Sequence, residues 1–77
     1  MLSFTVRTPQ DLARALRRGR TEAGLSQADV AARTGVDPSY ISKIEGGRSS
    51  RLLNLIFDLL GLLDLHVTIS SGDPDRG

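Results

Sequence analysis

The sequence predicts a mainly α-helical domain in which four short helices are followed by one β-strand. Two observations carry this prediction. Helix-capping residues followed by apolar residues at helical spacing recur four times between residues 8 and 61. After them, residues 63–70 alternate apolar and polar side chains, which is the period of a strand. A shorter alternating run at residues 3–7 indicates either a second strand or an extended arm.

Length and composition limit the kinds of protein that fit. A chain of 77 residues forms one domain with a small core, and association with a second copy is a common remedy. There is no cysteine, which excludes disulfides and thiolate chemistry. We see no signal peptide, and the leucine-rich run at 52–63 is too short to span a bilayer. We therefore expect a cytoplasmic protein that makes no membrane contact, in which residues 1–70 fold and residues 71–77 form a disordered tail.

Charge is divided unevenly along the chain. Residues 1–51 contain nine basic and five acidic residues, whereas residues 52–77 contain one basic and four acidic residues. The net charge of +1 hides this division. A basic N-terminal part is expected if that part meets phosphates, although an ordinary solvated surface is the simpler explanation.

The first predicted helix begins at Thr8, which caps it, with Pro9 in the first turn, and it ends at Gly24. Its apolar stripe consists of Leu12, Ala13, Ala15, Leu16 and Ala23. Its basic residues are Arg14, Arg17, Arg18 and Arg20.

The second and third helices, within residues 26–45, are predicted to form a helix-turn-helix. Ser26 caps the second helix in a capping box with Asp29, and Gly35 ends it. Asp37 caps the third helix, which begins at Pro38. The predicted inward residues are Val30, Ala31, Val36, Ile41 and Ile44. In such a unit the second of the two helices enters the major groove of DNA.

The fourth helix is predicted from Arg51 to Leu60, with Gly61 ending it, and it is apolar on nearly every side. A domain this small cannot bury all of that surface, so a partner surface is expected. The strand at residues 63–70 also needs a partner, because a lone strand is not stable. It must pair with the N-terminal strand, with a second copy of the chain, or with both.

The outward face of the third helix is short and polar. Ser39, Ser42 and Lys43 lie at helical spacing opposite the apolar residues. Hydroxyl groups can bond base edges, and lysine can reach a guanine or a phosphate. The alternative is a plain solvated face. With no Arg, Asn or Gln at the centre of the helix, strong base contacts are lacking, and recognition should depend partly on DNA shape. The predicted DNA-binding residues, including phosphate contacts from the second helix and the following loop, are Gln27, Pro38, Ser39, Tyr40, Ser42, Lys43, Arg48, Ser49 and Arg51.

Arg20 and Glu45 are candidates for an internal ion pair, because Glu45 flanks the apolar face of its helix; two independent surface charges are the alternative. We expect no enzyme, cofactor or metal site. His66 is the only histidine, so a His-based metal cluster is excluded, and no nucleophile lies at recognisable spacing from a base.

Residues 20–47, RTEAGLSQADVAARTGVDPSYISKIEGG, resemble the Cro/CI-like, or XRE-family, helix-turn-helix. The resemblance implies a structural ion pair at Arg20 and Glu45, a DNA contact at Gln27 and base contacts from the helix that carries Ser39 to Lys43. Asp37 and Pro38 depart from the family, which often has longer polar residues there, so the operator sequence does not carry over.

Residues 8–16, TPQDLARAL, and 52–69, LLNLIFDLLGLLDLHVTI, resemble HipB-type antitoxins. This resemblance covers residues 4–70. It implies a four-helix lambda-repressor-like DNA-binding domain whose C-terminal β-strand pairs with its mate across a homodimer. The expected dimer-interface residues are Leu55, Leu63, Leu65, Val67 and Ile69.

The function that the resemblance implies is a repressor of its own operon at a palindromic operator, which also neutralises a HipA-type serine/threonine kinase toxin. Two other interpretations stay open. The chain could be an adaptor that mainly holds a partner protein, or a stand-alone transcriptional regulator without a toxin. The identity of the adjacent gene would distinguish them.

Overall fold

The computed structural model describes residues 2–72, which form four helices and two strands. Their order is β1 (Ser3–Val6), α1 (Pro9–Glu22), α2 (Gln27–Thr34), α3 (Pro38–Glu45), α4 (Arg51–Leu62) and β2 (Val67–Ser70). The predicted mainly helical fold with a C-terminal strand is therefore confirmed. Of the predicted disordered tail, residues 73–77 lie outside the described residues, whereas Ser71 hydrogen-bonds Leu2.

Each helix begins at a side chain that accepts a hydrogen bond from an amide of the first turn. The Thr8 hydroxyl accepts from the Asp11 N–H at 3.0 Å, and the Ser50 hydroxyl accepts from the Leu53 N–H at 3.1 Å. These bonds satisfy donors that a helix leaves unpaired at its start. The helix starts could therefore be located from the sequence.

The end of α4 differs from the prediction. The helix continues through Gly61 to Leu62, and Leu63 is its C-cap. The left-handed residue that turns the chain is Asp64, with φ of 56°. Aspartate tolerates this conformation better than most residues. The turn occupies residues that were assigned to the strand, so β2 begins at Val67 rather than at Leu63.

The two strands pair with each other in antiparallel fashion within one chain. Ser3 lies opposite Ser70 and Val6 lies opposite Val67. Leu2 and Ser71 extend the pairing, because the Ser71 N–H donates to the Leu2 carbonyl at 2.8 Å. The N-terminal run is thus a strand rather than a free arm, and it partners β2. In the described sheet, β1 and β2 each have one edge that pairs with no other strand.

The core is shallow. The described fold is 16 Å across its shortest dimension, little more than the 10–12 Å diameter of one helix. Contacts of α1 with β1 and α3, and of α2 with α3, hold the fold together, whereas α4 touches α1 less extensively. The buried apolar residues are Val6, Ala13, Ala15, Ala31 and Ile41.

Several residues predicted to face inward are exposed in the single chain. Leu16, Val36 and Ile44 expose 46%, 40% and 41% of their surface. The helical period identified their face correctly as apolar, but the described residues cover that face only in part. None of the α4 residues is buried, and Leu55 is 51% exposed. Among residues 2–72, no helix has the length and hydropathy needed to cross a membrane.

Candidate nucleic-acid interface

The α2–turn–α3 unit has a tight connection. Gly35 adopts φ of 76°, a left-handed conformation that is cheap only for glycine. Its N–H and that of Val36 both donate to the Ala31 carbonyl, at 2.8 and 3.1 Å. Ala31 itself is 2% exposed. A small residue at this position lets α2 and α3 approach closely, which fixes the angle at which α3 is presented.

The polar face of α3 is exposed. Asp37 caps this helix by accepting a hydrogen bond from the Ser39 N–H at 2.8 Å, and that bond lowers the pKa of the Asp37 carboxyl. Ser39, Ser42 and Lys43 are exposed on α3, as is Tyr40 at 62%. The opposite side of the helix places Ile41 in the core. The helix is thus held by its apolar side and presents short polar side chains outward.

A groove beside α3 brings together four of the predicted DNA-binding residues. Tyr40 and Lys43 line it on the helix, and Arg48 and Ser49 line it on the following loop. The Arg48 N–H donates to the Lys43 carbonyl at 3.1 Å, which ties the loop back to the helix. Two cations and two hydroxyl groups along one groove suit a phosphate backbone.

An ion pair links α1 to the end of α3. The Arg20 Nε and Nη2 atoms donate to the two carboxylate oxygens of Glu45, at 2.6 and 2.8 Å. The side chains of Arg20 and Glu45 are 14% and 6% exposed. Arg20 also donates to the Leu25 carbonyl at 2.8 Å, so it braces the loop that precedes α2. A bidentate geometry of this kind is rigid as well as strong.

The start of α2 is attached to the same ion pair. The side-chain amide of Gln27 donates to the Glu45 Oε1 atom at 3.2 Å. Hydrogen bonds from Arg20, and secondarily from Gln27, lower the pKa of the Glu45 carboxyl. The sequence does not predict the Gln27–Glu45 bond, because the two residues meet only through the packing of α2 on α3. The bond orients the Gln27 side chain while its amide oxygen and one N–H stay available.

The charges near α3 are mostly positive. Within residues 2–72, Lys43, Arg48 and Arg51 take part in no ion pair, whereas Glu45 is neutralised by Arg20. The other carboxylates on this unit are Asp29 and Asp37, and both accept hydrogen bonds from backbone amides at helix starts. The surface that carries α3 is therefore able to attract a polyanion.

The remaining predicted residues are distributed around this groove rather than within it. Pro38, Ser39 and Ser42 lie on α3 and Arg51 opens α4, and none of them lines the groove. Sequence reasoning missed Ile44, Ser50 and Leu53, which line it with the predicted residues. The serine pair ahead of an apolar run marked the start of α4, but it did not reveal that this start lies beside α3.

Comparison with known proteins agrees with this geometry. A family model described as a helix-turn-helix domain matches residues 11–67. No curated protein and no solved structure matches the chain significantly. The matched region includes α1 from Asp11 onward and all of α2, α3 and α4, and it ends at the first residue of β2. The chain therefore belongs to the helix-turn-helix domain family, whose members are DNA-binding transcription regulators.

Proposed function

We propose that the chain is a homodimeric repressor that lays the α3 helix of each copy into the major groove of a palindromic operator. The main support for this proposal is the exposed polar face of α3. Beside it lie three basic residues, Lys43, Arg48 and Arg51, which form no ion pair among the described residues. Ser39 and Ser42 face base edges, with Pro38 and Tyr40 beside them, whereas Lys43, which lines the groove with Arg48, reaches a phosphate. Gln27, Arg48, Ser49 and Arg51 face phosphates on either side.

Dimerisation is supported by the surface that one copy leaves uncovered. The apolar face of α4 and the turn after it is exposed, with Leu55 at 51%, Leu63 at 63% and Leu65 at 55%. Exposed apolar side chains this numerous on one short segment usually mark an interface. The free edge of β2 lies on the same C-terminal part of the chain. Leu55, Leu63, Leu65, Val67 and Ile69 are the proposed interface residues.

Two copies are also required by the chemistry of α3. Serine hydroxyls give weaker discrimination between bases than bidentate arginine or glutamine contacts. A single α3 helix therefore distinguishes sequences poorly. Joining two copies at a fixed distance adds half-site spacing and DNA deformability to the recognition.

The proposed DNA interface is tested by measuring binding to duplex DNA from upstream of the gene at increasing salt concentration. Binding should weaken steeply as salt rises, because each neutralised phosphate releases counterions. Lys43→Ala combined with Arg48→Ala removes four cations from the proposed dimer, so it should lower affinity by at least about tenfold and reduce the slope of log K against log salt by about 4. Fluorescence anisotropy measures both quantities.

The matched control is Arg33→Ala, which removes an exposed cation from the last turn of α2. It should change the salt slope much less than the double variant. Circular dichroism should show that all variants remain helical. A flat salt dependence for the unmodified protein, or a double variant that binds like Arg33→Ala, would contradict the proposed interface.

We further propose that this regulator is an antitoxin whose partner is a HipA-like serine/threonine kinase. The support is the resemblance of residues 4–70 to HipB-type antitoxins, together with exposed apolar surface on α4 that DNA does not require. The test is co-expression with the adjacent gene followed by purification of a tagged antitoxin chain. A kinase that co-purifies and loses toxicity supports the antitoxin role.

Two results would favour the alternatives. Co-purification of a partner by a chain that fails to shift its upstream DNA would identify an adaptor. Specific DNA binding with no kinase gene beside it would identify a stand-alone regulator. Either result would remove the antitoxin proposal, and the first would remove the repressor proposal as well.

A further inference from the structure

A second basic surface lies outside the proposed DNA interface, between β1 and α1. Ser3, Phe4 and Thr5 line one wall of this groove. Arg14, Arg17 and Arg18 line the other wall together with Asp11 and Thr21, which gives that wall a net positive charge. Its cavity volume is about 580 Å³, enough for several side chains rather than a single ion. We call it the β1–α1 groove.

The strand wall of the groove presents unpaired backbone groups. The bond from the Ser71 N–H to the Leu2 carbonyl makes Leu2 and Ser71 a hydrogen-bonded pair of the ladder. Because hydrogen-bonded and non-hydrogen-bonded pairs alternate, Phe4 and Val6 also bond β2, whereas Ser3 and Thr5 direct their N–H and C=O groups away from it. The outward edge of β1 is therefore open at Ser3 and Thr5.

The open edge has a defined end. The next outward N–H along the chain is that of Arg7, and it donates to the Asp11 Oδ2 atom at 3.0 Å. This bond lowers the pKa of the Asp11 carboxyl, which stays charged and closes the edge. A segment that pairs with β1 can consequently bond Ser3 and Thr5 but cannot continue past them.

The helix wall of the groove is positively charged. Arg14 and Arg18 form ion pairs with Asp11 and Glu22, but they remain 74% and 59% exposed. Arg17 forms no ion pair within residues 2–72. Arg14 and Arg18 are one helical turn apart, or about 6 Å. Alternate side chains of an added strand are about 6.8 Å apart, so acidic residues at every second position would match this spacing.

We propose that the β1–α1 groove binds an acidic, extended segment of a partner protein, which adds to the sheet as a third strand beside β1. Backbone pairing with Ser3 and Thr5 supplies the geometry, and the arginines of α1 select acidic side chains. Alternating N–H and C=O groups fit another strand better than they fit a phosphate backbone. A second copy of the chain is disfavoured here, because it would bring two sets of arginines together.

The two edges of the sheet thus have different partners. On β2, the residues with outward backbone groups are Thr68 and Ser70, and its side chains carry no charge. That edge suits self-association, whereas the β1 edge repels another copy and attracts an acidic strand. This inference does not depend on the proposed repressor function, since it concerns a surface that DNA does not occupy in that proposal.

The test uses a fluorescein-labelled short peptide that alternates Glu with Val and Thr, and a matched peptide with Lys in place of Glu. The acidic peptide should bind with a Kd below about 1 mM at low salt. The lysine peptide should bind much more weakly. In NMR spectra, the amides of Ser3 and Thr5 should shift and become protected from exchange when the acidic peptide is added.

Thr5→Pro is the sharpest variant, because it removes an outward N–H while the inward ladder bonds of Phe4 and Val6 are kept. It should abolish peptide binding without changing the oligomeric state or DNA affinity. Arg17→Ser combined with Arg18→Ser should weaken binding of the acidic peptide by about tenfold. The matched controls are Arg33→Ser for charge and Thr68→Pro for the opposite edge, and both should bind the peptide normally.

Three results would overturn the inference. The first is no binding of the acidic peptide to the unmodified protein. The second is equal binding by Thr5→Pro, which would show that the strand edge is not used. The third is a loss of DNA affinity in the Arg17→Ser, Arg18→Ser variant, because that would assign the groove to DNA. Peptide binding is measured without DNA, so failure of the repressor proposal would leave these results unaffected.

Discussion

Glu45→Ala is expected to lower the Tm by about 10 °C, more than removal of any exposed carboxylate. The substitution leaves the Arg20 guanidinium, which is 14% exposed, with the Leu25 carbonyl at 2.8 Å as its remaining protein partner. It also removes the acceptor of the Gln27 side chain. A nearly buried charge without its counter-charge is strongly destabilising, and here the same loss loosens α1, α2 and α3 together.

The matched control is Glu22→Ala, which removes the partner of Arg18. That pair is 3.2 Å long, and its side chains are 59% and 52% exposed. Exposed pairs contribute little, so the Tm should fall by no more than a few degrees. Thermal unfolding followed by circular dichroism at equal protein concentration measures both variants. Equal losses for Glu45→Ala and Glu22→Ala would show that the Arg20–Glu45 pair is no more than a surface contact.

The same ion pair predicts how stability changes in acid. The hydrogen bonds from Arg20 hold the pKa of Glu45 below its ordinary value of 4.5. A carboxyl with a lowered pKa contributes its stabilisation above the unfolded pKa and loses it as pH falls through the folded pKa. Stability should therefore be steady above about pH 5 and decline below about 4.5. Glu45→Gln should flatten part of that decline.

The decline should not disappear in Glu45→Gln. Asp11, Asp29 and Asp37 accept hydrogen bonds from amides at or near helix starts, and these bonds lower the pKa of each carboxyl. Their stabilisation is lost in the same acidic range. A variant whose Tm depends on pH as steeply as that of the unmodified protein would indicate that Glu45 contributes little to the acid response.

The elements that sequence reasoning located best are those fixed by local chemistry. Ser26 and Asp29 form the expected capping box, with bonds of 2.8 and 3.0 Å. Gly35 adopts the expected left-handed conformation. These features depend on residues within one turn of each other, so the sequence alone specifies them.

The sequence prediction ended α4 too early, because glycine permits a helix to end but does not require it to. Gly61 can end a helix, but it can also remain inside one at a cost of about 1 kcal/mol relative to alanine. The apolar residues on both sides of it extend the helix to Leu62, and Asp64 makes the turn instead. The alternation of residues 63–66 resembled a strand only because a turn and a strand can share an apolar–polar pattern.

Tertiary relationships were the least accessible from the sequence. Periodicity identified Val36 and Ile44 as apolar-face residues, but burial depends on what covers that face. The bond between Gln27 and Glu45 and the shared groove of Tyr40 and Arg48 both arise from packing between elements. The arginines of α1 come beside the open edge of β1 only through packing, and the outward backbone groups of β1 could be identified only from its register on β2.

The proposed homodimer predicts that Thr68→Pro will be a monomer and will bind a palindromic site about 100-fold more weakly than the unmodified protein. The N–H of Thr68 points away from β1, so proline would remove the bond that the proposed dimer forms there without breaking the sheet of its own chain. Val67→Pro is less informative, because Val67 faces Val6 within the ladder and its loss would damage the fold.

The size of the expected loss follows from the weakness of each α3 helix. When two copies are joined, the second half-site is bound at a high effective concentration, and a monomer loses that advantage. Binding to non-specific duplex depends on phosphate contacts by each copy, so it should fall much less. Sedimentation velocity measures the oligomeric state, and anisotropy with specific and non-specific duplexes measures the two affinities.

Leu55→Glu and Thr5→Pro show which surface of the chain holds the two copies of the proposed dimer together. Leu55 is 51% exposed on α4, and a buried glutamate at a dimer interface would be costly, so Leu55→Glu should also be monomeric. Thr5→Pro changes the opposite edge of the sheet and should stay dimeric. If Thr68→Pro remains dimeric while Leu55→Glu does not, α4 alone holds the copies together. If all three remain dimeric, the C-terminal part of the chain does not set the distance between the two α3 helices.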